Sequence, residues 1–382
     1  MYPKYPVYFL QTKPWLEFWK NANLPGHDYL HIAVEVDILL ENPAHTLKIL
    51  LQSFIYIYPW QLGQKFFYIP KSPVVELLLD GKSLKFDAIS KVFNESDLQL
   101  IKQNFLQLFD KLLLQFATLA QQKDVAFIKL DLDDNFTEFL DIKDNAEILS
   151  NIKKVYPRSV ISGKTIQYLQ AMVLELENVK PSITKTKDYT NQTLISFFDG
   201  TKSFWAKTNE NVRRYTKKSL SQGWQVSTLK TPENFEAFWQ VYSGTSERQH
   251  FSTHHKNVVE TLMKYDFSRI IIVRDEQGDP QCVWMGVVSD NTLTYLYGGN
   301  TEDSFKKYGQ YLVHLSAVKM VYDEGLRFYD LGRYDPTKSY SKFKENYRGQ
   351  IRNFLGPVDL IIKPSYYYYI NFLIAVVKIF RK

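Results

Sequence analysis

The residues able to do chemistry fall into a few groups. His250 and His254 stand four apart, as do His27 and His31, the spacing at which two imidazoles on one helix face hold a metal. Neither pair carries the glutamate of an H-E-x-x-H motif or an evident third ligand, so no metal is expected. The single cysteine, Cys282, excludes internal disulfides and cysteine zinc clusters, and its apolar run Cys282–Val287 reads as a buried strand before it reads as a nucleophile's setting. Asp131, Asp133 and Asp134 end another apolar run. From Thr201 to Leu220 the chain is basic: Arg213 and Lys217 share a helix face, Arg214 and Lys218 another, and Lys207 lies about two turns earlier. That stretch suits an anion-binding face and a solvated surface helix equally. There is no Walker loop, dinucleotide fingerprint or G-x-S-x-G elbow. Without an obvious nucleophile, direct transfer between two bound reactants fits best, driven by positioning and by stabilising developing charge.

The elements that would position such groups centre on Thr294–Gly349. Thr294–Tyr297 alternates as a strand that stops at Gly298-Gly299. Leu312, Leu315, Val318 and Tyr322 recur at helical spacing, and Gly325 closes that helix. Phe328–Leu331 is a second short strand, which leaves through Gly332 into a loop rich in Lys, Tyr and Phe. Together these describe a place to hold a charged acyl carrier. Upstream, Phe9–Gln11 reads as a strand end before an aromatic-faced helix with Trp15, Phe18 and Trp19. Strands are expected at Leu30–Leu40 and Phe66–Pro70. The helix Leu98–Leu119 has the clearest apolar face, and the strand Val125–Asp131 follows it. A polar helix at Asn145–Lys154, a strand at Tyr168–Leu176, one basic helix at Thr201–Leu220 and a hairpin of Ile270–Arg274 with Cys282–Ser289 complete the reading. Helix, turn, apolar strand and aspartate turn occur at Leu98–Asp134 and again at Leu312–Asp335, a weak internal repeat of one α/β unit.

The 382 residues allow two domains, and 45% hydrophobic content allows real cores. The formal charge of +6 suits a polyanionic partner or an anionic membrane surface but is far below that of a dedicated nucleic-acid binder. Met1–Pro6 lacks an apolar signal region, so a cytoplasmic location is expected. Ser365–Val377 carries no charge and precedes Lys378, Arg381 and Lys382. It is too short to span a membrane, which needs about 20 apolar residues. It fits either an interfacial helix at the inner membrane face or a helix packed back on the fold.

The ordered motifs resemble the Fem family of peptidoglycan-bridge aminoacyltransferases along nearly the whole chain. Phe9-Leu10-Gln11 with Trp15 is similar to the family's opening, and Tyr68–Pro73 to its Y-I-P-R-G-P, with Ser72 in the glycine place. Ile128–Asp131 resembles the strand that ends in Asp-Pro, with Leu132 in the proline place. Lys207, Asn211–Arg213 and Lys217-Lys218 match a basic motif in which Asn209 and Tyr215 stand for an arginine and an alanine. Thr245–Phe251, Tyr295–Gly299, Tyr311-Leu312, Tyr329–Gly332 and Phe343-Lys344 follow in the family's order.

The resemblance implies an α/β (α+β) fold of two tandem acetyltransferase-like (GNAT) domains, each a mixed sheet with flanking helices, nearest the compact FemX-like form. Domains are expected at 1–160 and 161–354, the second carrying Tyr297 and Lys344, with 355–382 a tail packing on the N-terminal domain or the membrane. The implied activity is transfer of an amino acid from aminoacyl-tRNA, a co-substrate, to an amine of a nucleotide- or lipid-linked muropeptide, with no cofactor. By family position Phe343 and Lys344 would lie at the reaction centre, Lys344 steadying an oxyanion or a phosphate. Asp131 would order or deprotonate the amine, or merely cap its strand. Lys20, Tyr297 and Tyr295 would contact the precursor, and Arg248 would hold the second domain or a diphosphate. Lys207, Arg213, Arg214, Lys217 and Lys218 would meet tRNA or phosphate. His254 and Val258 stand where the member acting on the nucleotide precursor has arginine and tyrosine, and no coiled-coil arm is present. The rival readings are an acyl-CoA-dependent N-acyltransferase and a non-catalytic membrane-surface binding protein.

Overall fold

A computed structural model describes residues 9–40, 45–84, 89–142, 144–176 and 188–380. Met1–Pro6, Arg381 and Lys382 lie outside them. The chain forms two compact units, Met1–Leu169 with Phe354–Lys382 and Gln170–Asn353. Each is a mixed sheet with flanking helices.

The first sheet has eight strands. Its long hairpin pairs Asp28–Leu39 with Thr46–Pro59 in antiparallel register. The free edge of Thr46–Pro59 is shared by Val74–Leu79 and Lys65–Ser72, with a cis Ser72-Pro73 bond between them. Lys65–Ser72 then pairs in parallel with Val125–Leu132, the only parallel pair of this sheet among the described residues. The last strand, Pro357–Ile361, returns to pair with Val125–Leu132 on its other side. The helix Glu95–Gln122 covers the sheet, burying Ile101, Phe105, Leu108, Leu112 and Phe116. Its start is fixed by Asn94, whose side chain accepts from the Asp97 N–H, a cap worth about 1 kcal/mol. Phe9–Gln11 is a 3-10 turn rather than a strand end. It is held by Gln11, whose amide exchanges two hydrogen bonds with the Phe54 backbone.

The second sheet also has eight strands, in the order Gln350–Asn353, Gln170–Glu175, Phe328–Arg333, Thr292–Asn300, Pro280–Ser289, Ser268–Arg274, Gln225–Ser227 and Asp188–Tyr189. The helix Gly309–Asp323 is buried almost all round and joins the only parallel pair of this sheet among the described residues. Here three expectations give way. The strand expected to stop at Gly298-Gly299 runs on to Asn300. The two glycines are there for close approach, not for a turn: a Cβ would lie 2.8 Å from the Val283 carbonyl at Gly298, and 2.8 Å from the Val241 carbonyl at Gly299. The expected basic helix is two, Lys202–Lys207 and Glu210–Leu220. Asn209 breaks it by adopting an extended backbone and capping the Asn211 N–H at 2.9 Å. The loop after Gly332 contains a helix, Ser339–Glu345, which carries Phe343 and Lys344.

Candidate active site

The second unit's parallel pair is a fork. Thr292–Thr294 pairs with Phe328–Asp330, and beyond that the strands part. A bulge drives the divergence: Gly286 faces Tyr295 and Met285 faces Tyr297, so Leu296 is an extra residue that bends its strand. On the other arm the buried Asp330 carboxylate accepts the Gly332 N–H at 2.7 Å. Gly332 has φ +74°, and any Cβ there would stand 3.1 Å from the Tyr295 carbonyl.

Lys344 sits beside the end of that arm. It is only 8% exposed, and its Nζ donates to the Arg333 carbonyl at 2.7 Å. Burial draws its pKa down to about 8; the Asp330 carboxylate resists the fall and the Arg333 guanidinium adds to it. A desolvated cation of this kind interacts strongly with any charge that develops next to it. Phe343 packs edge-on to Tyr311 at 5.0 Å and tilted against His314 at 5.2 Å.

Behind them lies a polar relay that sequence reading did not single out. Trp284 Nε1–H donates to the Tyr329 hydroxyl at 3.1 Å, and that hydroxyl is 2.7 Å from His314 Nδ1. The indole can only donate, so the Tyr329 oxygen accepts from Trp284 and shares a second hydrogen bond with the imidazole. Burial, with the Lys344 charge second, pushes His314 down to about 3, so it is neutral at ordinary pH. The clue in the sequence is a histidine set among the apolar residues Leu312, Val313 and Leu315.

The other expected residues of this unit are spread around it. Tyr295 stacks on Trp284 at 5.8 Å. Tyr297 lies on the bulged strand, 5.6 Å from Tyr242 and 5.9 Å from His254, whose pKa burial lowers. Arg248 donates to the Asn300 and Gly244 carbonyls. Arg213 donates to the Trp205 and Thr208 carbonyls at 3.1 and 2.6 Å, closing the break between the two short helices. Arg214, Lys217 and Lys202 line a groove of about 630 Å³, with Asp199, Glu210 and Trp205 on its walls. Lys218 lies over the Tyr308 ring, which stacks on Tyr215 at 4.2 Å. Lys207 lines a separate cavity of about 170 Å³ with Tyr347 and Gly349. Cys282 is buried and its thiol is pushed up to about 12 by burial, which removes it as a nucleophile.

Asp131 and Lys20 belong to the first unit. Lys20 is exposed in the last turn of the helix Lys13–Ala22. Asp131 is buried and accepts from the Tyr68 hydroxyl at 2.8 Å. Desolvation raises its pKa, against the pull of the Lys71 cation and the Tyr68 hydrogen bond. Register explains the company it keeps. Lys129, two residues earlier on the same face, stands opposite both Tyr68 and Asp359. Lys129 Nζ donates to Asp359 Oδ1 at 2.6 Å, and Ser162 and Tyr367 donate to Oδ2 at 2.8 and 2.7 Å. Lys71 lies over the Phe354 ring at 3.7 Å. Two lysines and two aspartates, all under 7% exposed, balance one another's charge. Among the described residues, no group of three or more His, Cys, Asp or Glu could hold a metal ion.

The sequence profile of the Acetyltransferase (GNAT) domain family matches residues 206–345, the span that holds the fork and Lys344. No curated protein matches the chain. Among solved structures, FemX superposes with a TM-score of 0.64 at 14% identity, covering 96% of both chains. The C-terminal domain of a putative lysylphosphatidylglycerol synthetase from Agrobacterium fabrum gives 0.48 at 10%, covering 90% of this chain and 88% of that one. L-PGS from Bacillus licheniformis gives 0.44 at 11%, covering 81% of each. At such identities the likeness is one of fold. The fold is that of two GNAT-like domains in tandem, an acyltransferase-like architecture. More narrowly, the fold along the chain is similar to that of FemX.

Proposed function

We propose that this protein is an aminoacyltransferase that moves an amino acid from aminoacyl-tRNA to an amine of a peptidoglycan-precursor stem peptide. The observation that carries the reading is Lys344, a buried ammonium at the end of a forked strand pair, within a chain of FemX architecture. The amine nitrogen attacks the ester carbonyl and forms the C–N bond. The C–O bond to the tRNA hydroxyl breaks, and the proton lost by the amine ends on that leaving oxygen. Lys344 faces the oxyanion formed between these steps, and Phe343 fixes the helix that presents it. Arg214, Lys217 and Lys218 meet phosphates of the donor. No resident cofactor takes part.

The match to an acetyltransferase profile over 206–345 favours one second reading, an acyl-CoA-dependent N-acyltransferase on the same fold. Purified protein should be assayed with nucleotide- and lipid-linked muropeptides, with charged tRNAs and acetyl-CoA as parallel donors. Incorporation that needs charged tRNA and collapses in Lys344→Ala is expected. Transfer from acetyl-CoA alone would replace the reading with the second one, and no transfer from either donor would remove both.

A further inference from the structure

The helix Pro364–Phe380 has one face committed to the first unit and another that nothing within that unit covers. Inward, Tyr367 and Ile370 are buried, with the Tyr367 ring 5.2 Å from Phe127 and its hydroxyl on Asp359. Lys363, just before the helix, is pinned to Gln64 at 2.8 Å and to Asp124 at 2.6 Å. The Tyr366 hydroxyl donates to the Leu62 carbonyl at 3.2 Å. The helix is therefore held rigidly at its first turns.

Outward, the exposed positions are Ser365, Tyr368, Tyr369, Phe372 and Ala375, a stripe at helical spacing. On a helix facing water that stripe should carry the charges. Here it carries none: Tyr368 and Tyr369 are each 54% exposed and Phe372 63%. Leu62, itself 66% exposed, extends the apolar surface beside Tyr366.

We propose that this stripe seats the protein on an anionic lipid surface. Residues 364–382 hold Lys378, Arg381 and Lys382 and no acidic residue, which complements negative headgroups. Tyrosines, with an apolar ring and a polar tip, are the residues that settle at the headgroup boundary. Seventeen residues make a helix of about 25 Å, short of the ~30 Å hydrocarbon layer, so the helix lies in the interface. No helix among the described residues is long and apolar enough to cross a membrane. The proposal stands apart from the transfer reaction, since it rests on this face alone.

The test is flotation of the full-length protein with vesicles of phosphatidylcholine, alone or mixed with phosphatidylglycerol. Wild type should float with the mixed vesicles and much less with the neutral ones, and added salt should weaken it. Tyr369→Ser/Phe372→Ser, at exposed positions, should keep the wild-type melting temperature and lose about tenfold or more in partitioning. Wild type that stays at the bottom of both gradients would overturn the proposal, as would a double variant that floats like wild type. So would a concentration-dependent dimer, seen by light scattering and lost in the double variant, because a second copy would then be what covers the stripe.

Discussion

Each unit holds one parallel strand pair, and the two pairs end differently. In the first, Lys65–Ser72 and Val125–Leu132 stay paired to the end, Ser72 opposite Leu132, although the register shifts between Lys65 and Phe66 and again between Ile69 and Ser72. In the second, pairing ceases after three residues on each strand and the arms separate. The closed pair ends at a buried, charge-balanced cluster that also fastens the last strand. The open pair ends near the buried Lys344, whose Nζ donates to the Arg333 carbonyl. The same order of helix and strand thus ends in a charge-balanced cluster in one unit, and in the other in parted strands with a buried cation at the end of one arm.

That contrast can be broken by substitutions. Lys129→Met leaves Asp359 buried without its cation and should cost about 3–5 kcal/mol of stability, read by denaturant unfolding, with the folded fraction keeping its activity. Lys344→Met should do the reverse: a fall in transfer rate of about 10²–10³, the scale for losing one oxyanion donor, with little change in the unfolding midpoint. If Lys129→Met abolishes transfer by folded protein, or Lys344→Met unfolds it, the division of labour fails. The pH profile sharpens it further. Lys344 is charged below its pKa of about 8, so the rate should decline as pH rises through about 8, and Lys344→Met should lack that limb.

His314 offers a fourth test, on stability. Its folded pKa, about 3, is below the ordinary value of 6.5, so the unfolded chain binds more protons between them. Stability attributable to neutral His314 is intact above 6.5 and is lost as pH falls toward 3. His314→Gln should flatten that acid limb by up to a few kcal/mol, measured by denaturant midpoints between pH 7 and 4. The smallest effect is expected at Asn209→Ala, about 1 kcal/mol for a lost cap, with the groove beside Lys217 and Arg214 loosened but Lys344 untouched.

Much of the scaffold was legible because its signals are local. The apolar face from Leu98 to Leu119 predicts the helix Glu95–Gln122, and the alternation after Leu30 predicts the strand Asp28–Leu39. The hairpin partner Thr46–Pro59 went unassigned, since it is buried on both faces from Ser53 to Ile57 and loses its alternation there. Gly298-Gly299 looked like a stop because a glycine pair signals a turn unless one knows what packs against it. Thr208–Asn209 interrupts a helix by a side-chain cap that the charge periodicity hides.

What the sequence by itself determined is many of the local elements and the short motifs that resemble the Fem family, because periodicity, caps and glycine turns act over a few residues. Which charges are buried, and against what, was decided only by tertiary structure. Lys129 meets Asp359 across 230 residues of chain. Lys344 becomes a depressed cation because its short helix buries it, with Arg333 adding to the fall and Asp330 opposing it. Desolvation depends on what surrounds a group in space, and residue spacing along the chain does not contain it.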